Sequence, residues 1–395
     1  MQLSVEQGDL ARALEHVLGV VDKRGTMPIL AHCLVEADDQ GFVVSATDLE
    51  LSFKGRFPAE VQEPGTLAVL AHAFHGLVKN LPKGTLRITG DEKQVKVEAG
   101  DSEYKFLTLP AEQFPPLPSS RGASLVPVEA RALRDLTDKT SFSMSGDYYQ
   151  FNWSGTLWER REVDGNYHLR MVTTDGHRLS LAEQAQPELV RLEWPEGILV
   201  PAKAVREIKR FVEHHAKEGS VELGFEVIQS EYKDEHGITR AKPKVQTLFL
   251  QAGDKELSTR MLDRRFPDYQ RIIPESCEHR FTFNRQELAA ALKRVSLLST
   301  ERFRGVVITL TESVAEVTFE NPEVGAGKET VEILERVYNK EEPLTIGFNA
   351  RYLLEPLAVM QGETVVMGIN EANRPVRLLD AFAPGSIWIV MPMDL

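Results

Sequence analysis

Apolar residues recur at helical spacing in six separate stretches of this chain, and shorter alternating runs fill the intervals between them. The helical stretches fall at 9–20, 71–81, 128–139, 202–217, 285–298 and 350–360. In the first, Leu10, Leu14, Val17 and Leu18 share one face. In the fifth, Leu288, Ala291, Leu292 and Val295 form the buried face, and Asn284 with Glu287 three residues on predicts a capped N-terminus. Alternation predicts strands at 42–46, 95–98, 221–225 and 315–320. In the last of these, Ala315, Val317 and Phe319 face a core while Glu316, Thr318 and Glu320 face water. Asp164-Gly165 suits a tight hairpin tip, and the polar stretch 230–244 reads as a long surface hairpin or loop.

Six helices among a larger number of strands predict an α+β module used three times, with two helices in each copy. Short echoes support the repeat. Ser45-Ala46-Thr47-Asp48-Leu49 is matched by Val172-Thr173-Thr174-Asp175-Gly176, and Leu109-Pro110-Ala111-Glu112-Gln113-Phe114-Pro115 by Leu262-Asp263-Arg264-Arg265-Phe266-Pro267. Both pairs lie about one domain length apart. Pro/Ser/Gly-rich linkers are expected at 115–122 and 273–277.

Charge changes the picture. Asp and Glu number 59 against 46 Lys and Arg, a net charge of −13 that argues against coating nucleic acid by bulk attraction. Basic residues nevertheless gather on helical faces: Lys203, Arg206 and Arg210; Arg285, Lys293 and Arg294; Arg131, Arg134 and Lys139. Each alone reads as a solvated face. Their recurrence in an acidic chain favours a focused, non-specific surface for phosphates. No apolar run approaches the ~20 residues needed to span a bilayer, and the N-terminus shows no secretory pattern. Cys33 and Cys277 stand far apart without metal-ligand spacing, which argues against a disulfide framework and a structural zinc and points to a reducing cytoplasm.

Enzymatic motifs are weak. The stretch 323–330 suggests a phosphate-binding loop, but Pro322 takes the first glycine position and Glu329 the hydroxyl position. Asn152-Trp153-Ser154 is a glycosylation triplet without a secretory context. His214 and His215 read as part of a solvated helix face. Asp175, His177 and Ser180 invite a hydrolase reading, yet no nucleophile elbow accompanies them, and Asp175-Gly176 is more economically a turn. The chain closes on Ile387-Trp388-Ile389-Val390-Met391-Pro392-Met393-Asp394-Leu395. That is either a strand completing a sheet or, with its thioethers, one wall of an adaptable binding groove.

Several landmarks in order carry a family resemblance: Met27-Pro28-Ile29-Leu30, Thr47-Asp48-Leu49-Glu50, Thr108-Leu109-Pro110 leading into Phe114-Pro115, and Thr174-Asp175-Gly176-His177-Arg178-Leu179. Arg265-Phe266-Pro267-Asp268-Tyr269, Phe303-Arg304-Gly305-Val306, Gly347-Phe348-Asn349 and the Val390-Met391-Pro392-Met393 ending complete them. With these the chain resembles the bacterial DNA polymerase III beta sliding clamp family over essentially its full length. The resemblance implies an α+β fold of three similar DNA-clamp domains at 1–122, 123–274 and 275–395. Helices would line a central hole with antiparallel sheets outside, in a ring-shaped head-to-tail homodimer. It implies a non-enzymatic, cytoplasmic processivity factor, nucleoid-associated during replication and needing neither cofactor nor metal. Its partners would be double-stranded DNA, held without sequence preference, the replicative polymerase, a clamp loader and other proteins with short clamp-binding motifs.

Carried over by position, the partner-peptide pocket would comprise Phe151, Thr174, Gly176, His177, Arg178, Leu179, Pro267, Arg271 and Ile272. Its other side would be Phe303, Asn349, Tyr352, Pro375, Val376, Ile389, Val390, Met391, Pro392 and Met393, with Thr174, His177 and Arg178 orienting the peptide. Arg24, Tyr149, Lys203, Arg206 and Arg210 would face DNA. Tyr104 and Phe106 would meet Leu297 and Leu298 of a second subunit. Departures from the family pattern are Asp394 where a basic residue is common, Phe151 where leucine is typical, and insertions near 158–169 and 230–244. Two readings stand beside this one: a hydrolase using Asp175, His177 and Ser180, and a monomeric DNA-binding or adaptor module on the same fold.

Overall fold

The computed structural model describes residues 1–145, 154–215, 219–233, 239–298, 305–321 and 323–394. The first third runs β1 (Gln2–Glu6), α1 (Gln7–Glu15), β2 (His32–Asp38), β3 (Gly41–Thr47), β4 (Leu51–Phe57), β5 (Glu60–Glu63) and β6 (Gly65–Leu70). It continues with α2 (Ala71–Asn80), β7 (Thr85–Gly90), β8 (Gln94–Ala99) and β9 (Ser102–Leu109). The middle third holds β10 (Leu125–Glu129), α3 (Ala130–Thr140), β11 (Gly155–Val163), β12 (Asn166–Thr174), β13 (Arg178–Ala185) and β14 (Ile198–Pro201). After these come α4 (Ala202–His215), β15 (Ser220–Lys233), β16 (Thr239–Ala252) and β17 (Lys255–Arg260). The last third has β18 (His279–Asn284), α5 (Arg285–Ser296), β19 (Gly305–Leu310), β20 (Val314–Asn321), β21 (Gly325–Glu332), β22 (Glu335–Val337) and β23 (Leu344–Asn349). It ends with α6 (Ala350–Val359), β24 (Thr364–Ile369), β25 (Val376–Asp380) and β26 (Ser386–Val390).

The order repeats three times: strand, helix, a group of strands, helix, three strands. All six expected helices form. The first is shorter than expected, ending at Glu15 rather than Val20, and Val20 and Val21 then donate to the Val17 carbonyl in turns. Gly19, within those turns, leaves room for the Glu207 carboxylate, since a Cβ there would lie 2.2 Å from it. The fourth helix is described only to His215. Asn284 caps α5 as expected, accepting from the amides of Gln286 (2.9 Å) and Glu287 (3.1 Å). Asp164 and Gly165 take positive φ (50° and 77°) at the β11–β12 tip, the backbone of a tight primed turn.

Packing groups the chain into two units. One is Met1–Leu133 with Glu188–Glu196 and Lys203–Met261, and its sheet runs β10-β15-β16-β17-β4-β3-β2-β6-β9-β8-β7-β1-β5. The other is Arg134–Pro187 with Gly197–Ala202 and Leu262–Leu395, built on β14-β11-β12-β13-β26-β25-β24-β18-β22 and β21-β20-β19-β23. Each unit contains a joint between repeats. In the first, β17 pairs antiparallel with β4 (Leu257 opposite Phe53). In the second, β26 pairs with β13 (Ile389 opposite Leu179). Strand β26 shows why its sequence is apolar throughout. Trp388 and Val390 enter the core with Phe281, Leu353 and Met367, while Ile389 points the other way into a cluster with Leu179, Leu181 and Phe266.

Within the first unit, His214 is exposed, as expected of a solvated face, whereas His215 is half-buried. His16, just past α1, stacks on Phe53 and Phe57 and lies 4.4 Å from His215 and 5.0 Å from His214, ring centre to ring centre. The partners come from α1 and β4, far away in sequence, so the helix alone could not reveal them. Burial first, then the neighbouring histidines and Lys255, lowers the His16 pKa to about 3; burial, Lys255 and His214 lower that of His215 to about 4. Both histidines bind protons better in the unfolded chain, so their contribution is complete above the ordinary histidine pKa and is lost as pH falls from about 6.5 toward 3. His16 alone should cost about 2 kcal/mol between pH 7.5 and 5. Urea melts at the two pH values should show that loss in the native protein and a smaller one in His16→Phe. An equal loss in both would remove His16 as its source.

Candidate functional site

The two echoed Thr-Asp segments fold into one turn design. Asp175 Oδ1 accepts from the amides of His177 (3.0 Å) and Arg178 (3.1 Å), while Thr174 Oγ1 donates to the Arg178 carbonyl (2.7 Å) and accepts from the Gly176 amide (3.1 Å). In the other copy, Asp48 Oδ1 accepts from Glu50 (2.9 Å) and Leu51 (2.7 Å), and Thr47 Oγ1 donates to the Leu51 carbonyl (3.1 Å) and accepts from Leu49 (2.9 Å). The third residue is left-handed in both, Gly176 at φ 88° and Leu49 at φ 79°. Leucine tolerates that conformation poorly. These are Asx-type turns held by side chains that cannot also do chemistry. Ser180, the expected nucleophile of the hydrolase reading, is fully buried, with Oγ 2.6 Å from Ser143 Oγ.

Arg178 is the centre of this region. Its guanidinium lies 3.0 Å from Asp175 Oδ2, pairs with Glu355, donates to the Phe142 carbonyl, and sits 4.5 Å over the Tyr352 ring. It is buried, as is Thr174. Thr174 spends its one hydroxyl hydrogen on the Arg178 carbonyl, and Arg178 commits three of its five N–H groups within the fold; of the three expected orienting residues only His177 is exposed, its ring parallel to that of Tyr352. Sequence reasoning did not mark Glu355 or Phe142, because their link to Arg178 spans 177 and 36 residues.

The chain's end is docked rather than frayed. Met391 N–H donates to the His177 carbonyl and Met393 N–H to the Gly347 carbonyl, both at 2.9 Å, so the tail straps the end of β13 to β23. The expected pocket residues then divide by exposure. Leu179, Val376, Ile389 and Val390 are buried, Leu179 and Ile389 in one cluster and Val376 and Val390 in the core on the other face of the sheet. Gly176, His177, Arg271 and Met393 are exposed, and Pro267, Ile272, Asn349, Tyr352, Pro375, Met391 and Pro392 are half-buried. Asn349 also caps α6. Phe151, Phe303 and Tyr149 lie outside the described residues.

The basic stripes divide too. Arg24, Arg206 and Arg210 are exposed, Arg210 bridging Glu207 at 2.9 Å. Lys203 is committed: its ammonium holds the Val20 carbonyl (2.7 Å) and Asp48 (2.5 Å). Arg285 turns from the expected exposed face to cap the end of α6 through the carbonyls of Gly362 (2.7 Å) and Leu357 (2.9 Å). Lys139 is buried against Asp135, and Arg294 is bridged to Glu329.

Large apolar side chains stand exposed at several places among the described residues, Phe382 (74%) and Val190 (56%) included, and two of them lie beside unpaired strand edges. Leu107 is 83% exposed and Leu297 77%, with Tyr104 also open. Beside them the outer edges of β9, over 102–107, and of β21 have no strand partner among the described residues. Phe106 packs edge-on against Phe74 of α2, and Leu298 lies against Gly327 of β21. Leu107, the most exposed apolar side chain, was not among the expected seam residues. Its position next to Phe106 on an alternating strand was the available signal.

Comparison with known proteins agrees along the whole length. Family models for the N-terminal, central and C-terminal domains of the DNA polymerase III beta subunit match residues 1–118, 127–268 and 270–394. The beta sliding clamps of Caulobacter vibrioides and Pseudomonas putida are each 31% identical over 397 residues, covering all of both chains. Among solved structures, a Caulobacter crescentus beta sliding clamp aligns with TM-score 0.87 at 31% identity, over all of this chain and 99% of that one. A Bartonella birtlesii sliding clamp, solved bound to griselimycin, aligns with TM-score 0.88 at 27% identity over the whole of both chains.

Proposed function

The chain belongs to the DNA polymerase III beta subunit family, the beta sliding clamps, and on that premise we propose that it is a processivity factor: a head-to-tail homodimer closed around duplex DNA. It tethers the replicative polymerase and other motif-bearing proteins through the groove under its C-terminal strap, and it catalyses no reaction of its own. It acts in the cytoplasm. The three clamp domains are 1–122, 123–274 and 275–395.

One observation carries the ring. The third strand after the first helix of each repeat is β4, β13 or β21, and the last strand of each repeat is β9, β17 or β26. Inside the chain β4 pairs with β17, and β13 with β26. The same rule applied to β21 calls for a β9, and both edges are free to pair. Helices follow suit: His16 after α1 meets His214 and His215 of α4, and Asp135 of α3 meets Gln361 beyond α6 at 3.4 Å. The third such contact joins the end of α5, Leu297 and Leu298, to the α2–β9 surface of a second copy. A contact of this kind is heterologous and closes into a ring when its rotation closes.

Retention after loading onto nicked circular DNA tests the reading. Escape only after a single cut linearises the circle is the expected result; equal loss from both forms would favour the monomeric adaptor. For the DNA-facing surface, Arg206→Glu with Arg210→Glu should shorten residence on DNA at low salt, with some loss of stability because the buried Glu207 then faces a like charge. Lys203→Glu should destabilise the fold, by about 1–3 kcal/mol, because it leaves Asp48 facing a like charge. Unchanged residence in the double variant would take α4 away from DNA.

A further inference from the structure

The sheet face that bears Leu179 and Ile389 continues past the proposed peptide groove. Residues opposite one another on paired strands share a face, and two successive rows can be followed across β12, β13, β26 and β25. The first row is Thr174, Leu179, Ile389 and Arg377; the second is Val172, Leu181, Ile387 and Leu379. Ile272 and Ile273 of the following linker pack on the same apolar cluster. Ile273, Leu181 and Ile387 open into a cavity of about 450 Å³, the next compartment along that face.

Its polar wall is built from guanidiniums. Arg170 is committed to Glu183 (Nε at 2.7 Å, Nη2 at 2.6 Å) and donates to the Tyr269 hydroxyl at 3.2 Å. Glu183 is thereby neutralised. Arg161 stands exposed on the lengthened β11–β12 hairpin, and Arg377 is anchored by one donor to the Pro274 carbonyl at 3.0 Å. Glu275 is the remaining carboxylate on the wall, so the compartment holds an excess of positive charge in a chain of net charge −13.

We infer that this cavity is an accessory subsite for a carboxylate side chain, Asp or Glu, flanking the apolar anchors of a partner's clamp-binding segment. The inference rests on the peptide-groove reading above. A guanidinium fork matches a carboxylate in geometry and charge. The compartment lies on the same sheet face as Leu179 and Ile389, two residues further along each strand or about 7 Å, a distance within the span of an extended segment crossing the Ile272–Ile273 linker. Because the acidic chain repels acidic peptides at longer range, a gain from such a flank has to arise at this local wall. Arg161 lies in the stretch near 158–169 expected from the sequence to be an insertion, and on that expectation the subsite is a device for choosing among partners that share the same anchors.

The test uses three labelled peptides with identical Leu and Phe anchors: one bare, one flanked at both ends by Glu pairs, one flanked by Gln pairs. They are titrated into the full-length protein. The Glu-flanked peptide should bind about tenfold more tightly than the Gln-flanked one at low salt, and Arg161→Gln should narrow that gap to about threefold or less while leaving the bare peptide unchanged. Arg377→Gln provides a second reading of the same gap. Equal affinity for the two flanked peptides, or a gap that survives both substitutions, overturns the subsite. Failure of the bare peptide to bind overturns the groove reading along with it.

Discussion

Deleting residues 391–395 is expected to weaken binding of a clamp-motif peptide by about a hundredfold or more, with dimerisation intact. The tail contributes two backbone hydrogen bonds, to His177 and Gly347, and it presents Met391, Pro392 and the exposed Met393 beside the buried floor of Leu179 and Ile389. Without it a Leu or Phe anchor would lose an apolar wall, and each anchor left in contact with water forfeits about 1.5–3 kcal/mol. Losing one to two such contacts, about 1.5–6 kcal/mol, corresponds to roughly tenfold to ten-thousandfold in affinity, with a hundredfold near the lower middle of that range. Folding should suffer little, because β26 keeps both its neighbours through Val390. Titration of the peptide into the truncated and intact proteins decides it. An unchanged dissociation constant would remove the strap from the groove. A dimer lost together with the peptide affinity would show that the deletion acts on the fold as a whole.

Leu297→Asp is expected to separate the subunits, raising the dimer dissociation constant by at least about a hundredfold. In the single chain Leu297 is 77% exposed, so the substitution removes almost no packing and the melting temperature of the isolated subunit should hold. At the seam the same position would place a carboxylate in an apolar contact, where an unpaired charge costs several kcal/mol. Leu107→Asp, on the other exposed edge, should act in the same direction. Sedimentation equilibrium over a concentration series is the direct measurement, and loss of retention on nicked circles should accompany dissociation. A Leu297→Asp dimer of native affinity would rule out the β9–β21 pairing.

Much of the architecture was legible because it is written locally. Apolar periodicity located all six helices, and Asp164-Gly165 announced its hairpin. The Thr-Asp echo turned out to be one turn made twice with corresponding hydrogen bonds. What could not be read were commitments made across long stretches of chain. Lys203, Arg206 and Arg210 share a helix face and look alike in sequence, yet Asp48 claims only the first. Arg285 resembles a surface cation until the carbonyls of Leu357 and Gly362 are brought to it. Arg178 and Thr174 fell within the expected groove, but both are buried, and the Thr174 hydroxyl and three of the Arg178 N–H groups are committed to neighbouring parts of the fold. Position along a family pattern identifies a neighbourhood, whereas burial and partners decide which member of it faces a ligand.

The repeated joint has a kinetic consequence. Two of the three kinds of strand pairing are made within one covalent chain, where tethering keeps the partner strand at an effective concentration in the millimolar range or above. If either intrachain joint slips, it re-forms before a competitor can intervene. The proposed β9–β21 joint would have no tether of its own. Once one seam of a closed pair parts, only the opposite seam holds the two chains near each other, and below the dissociation constant nothing does. In the proposed ring, a protein that opens it would gain most at the edges bearing Leu107 and Leu297, and dilution alone should open it at the same place.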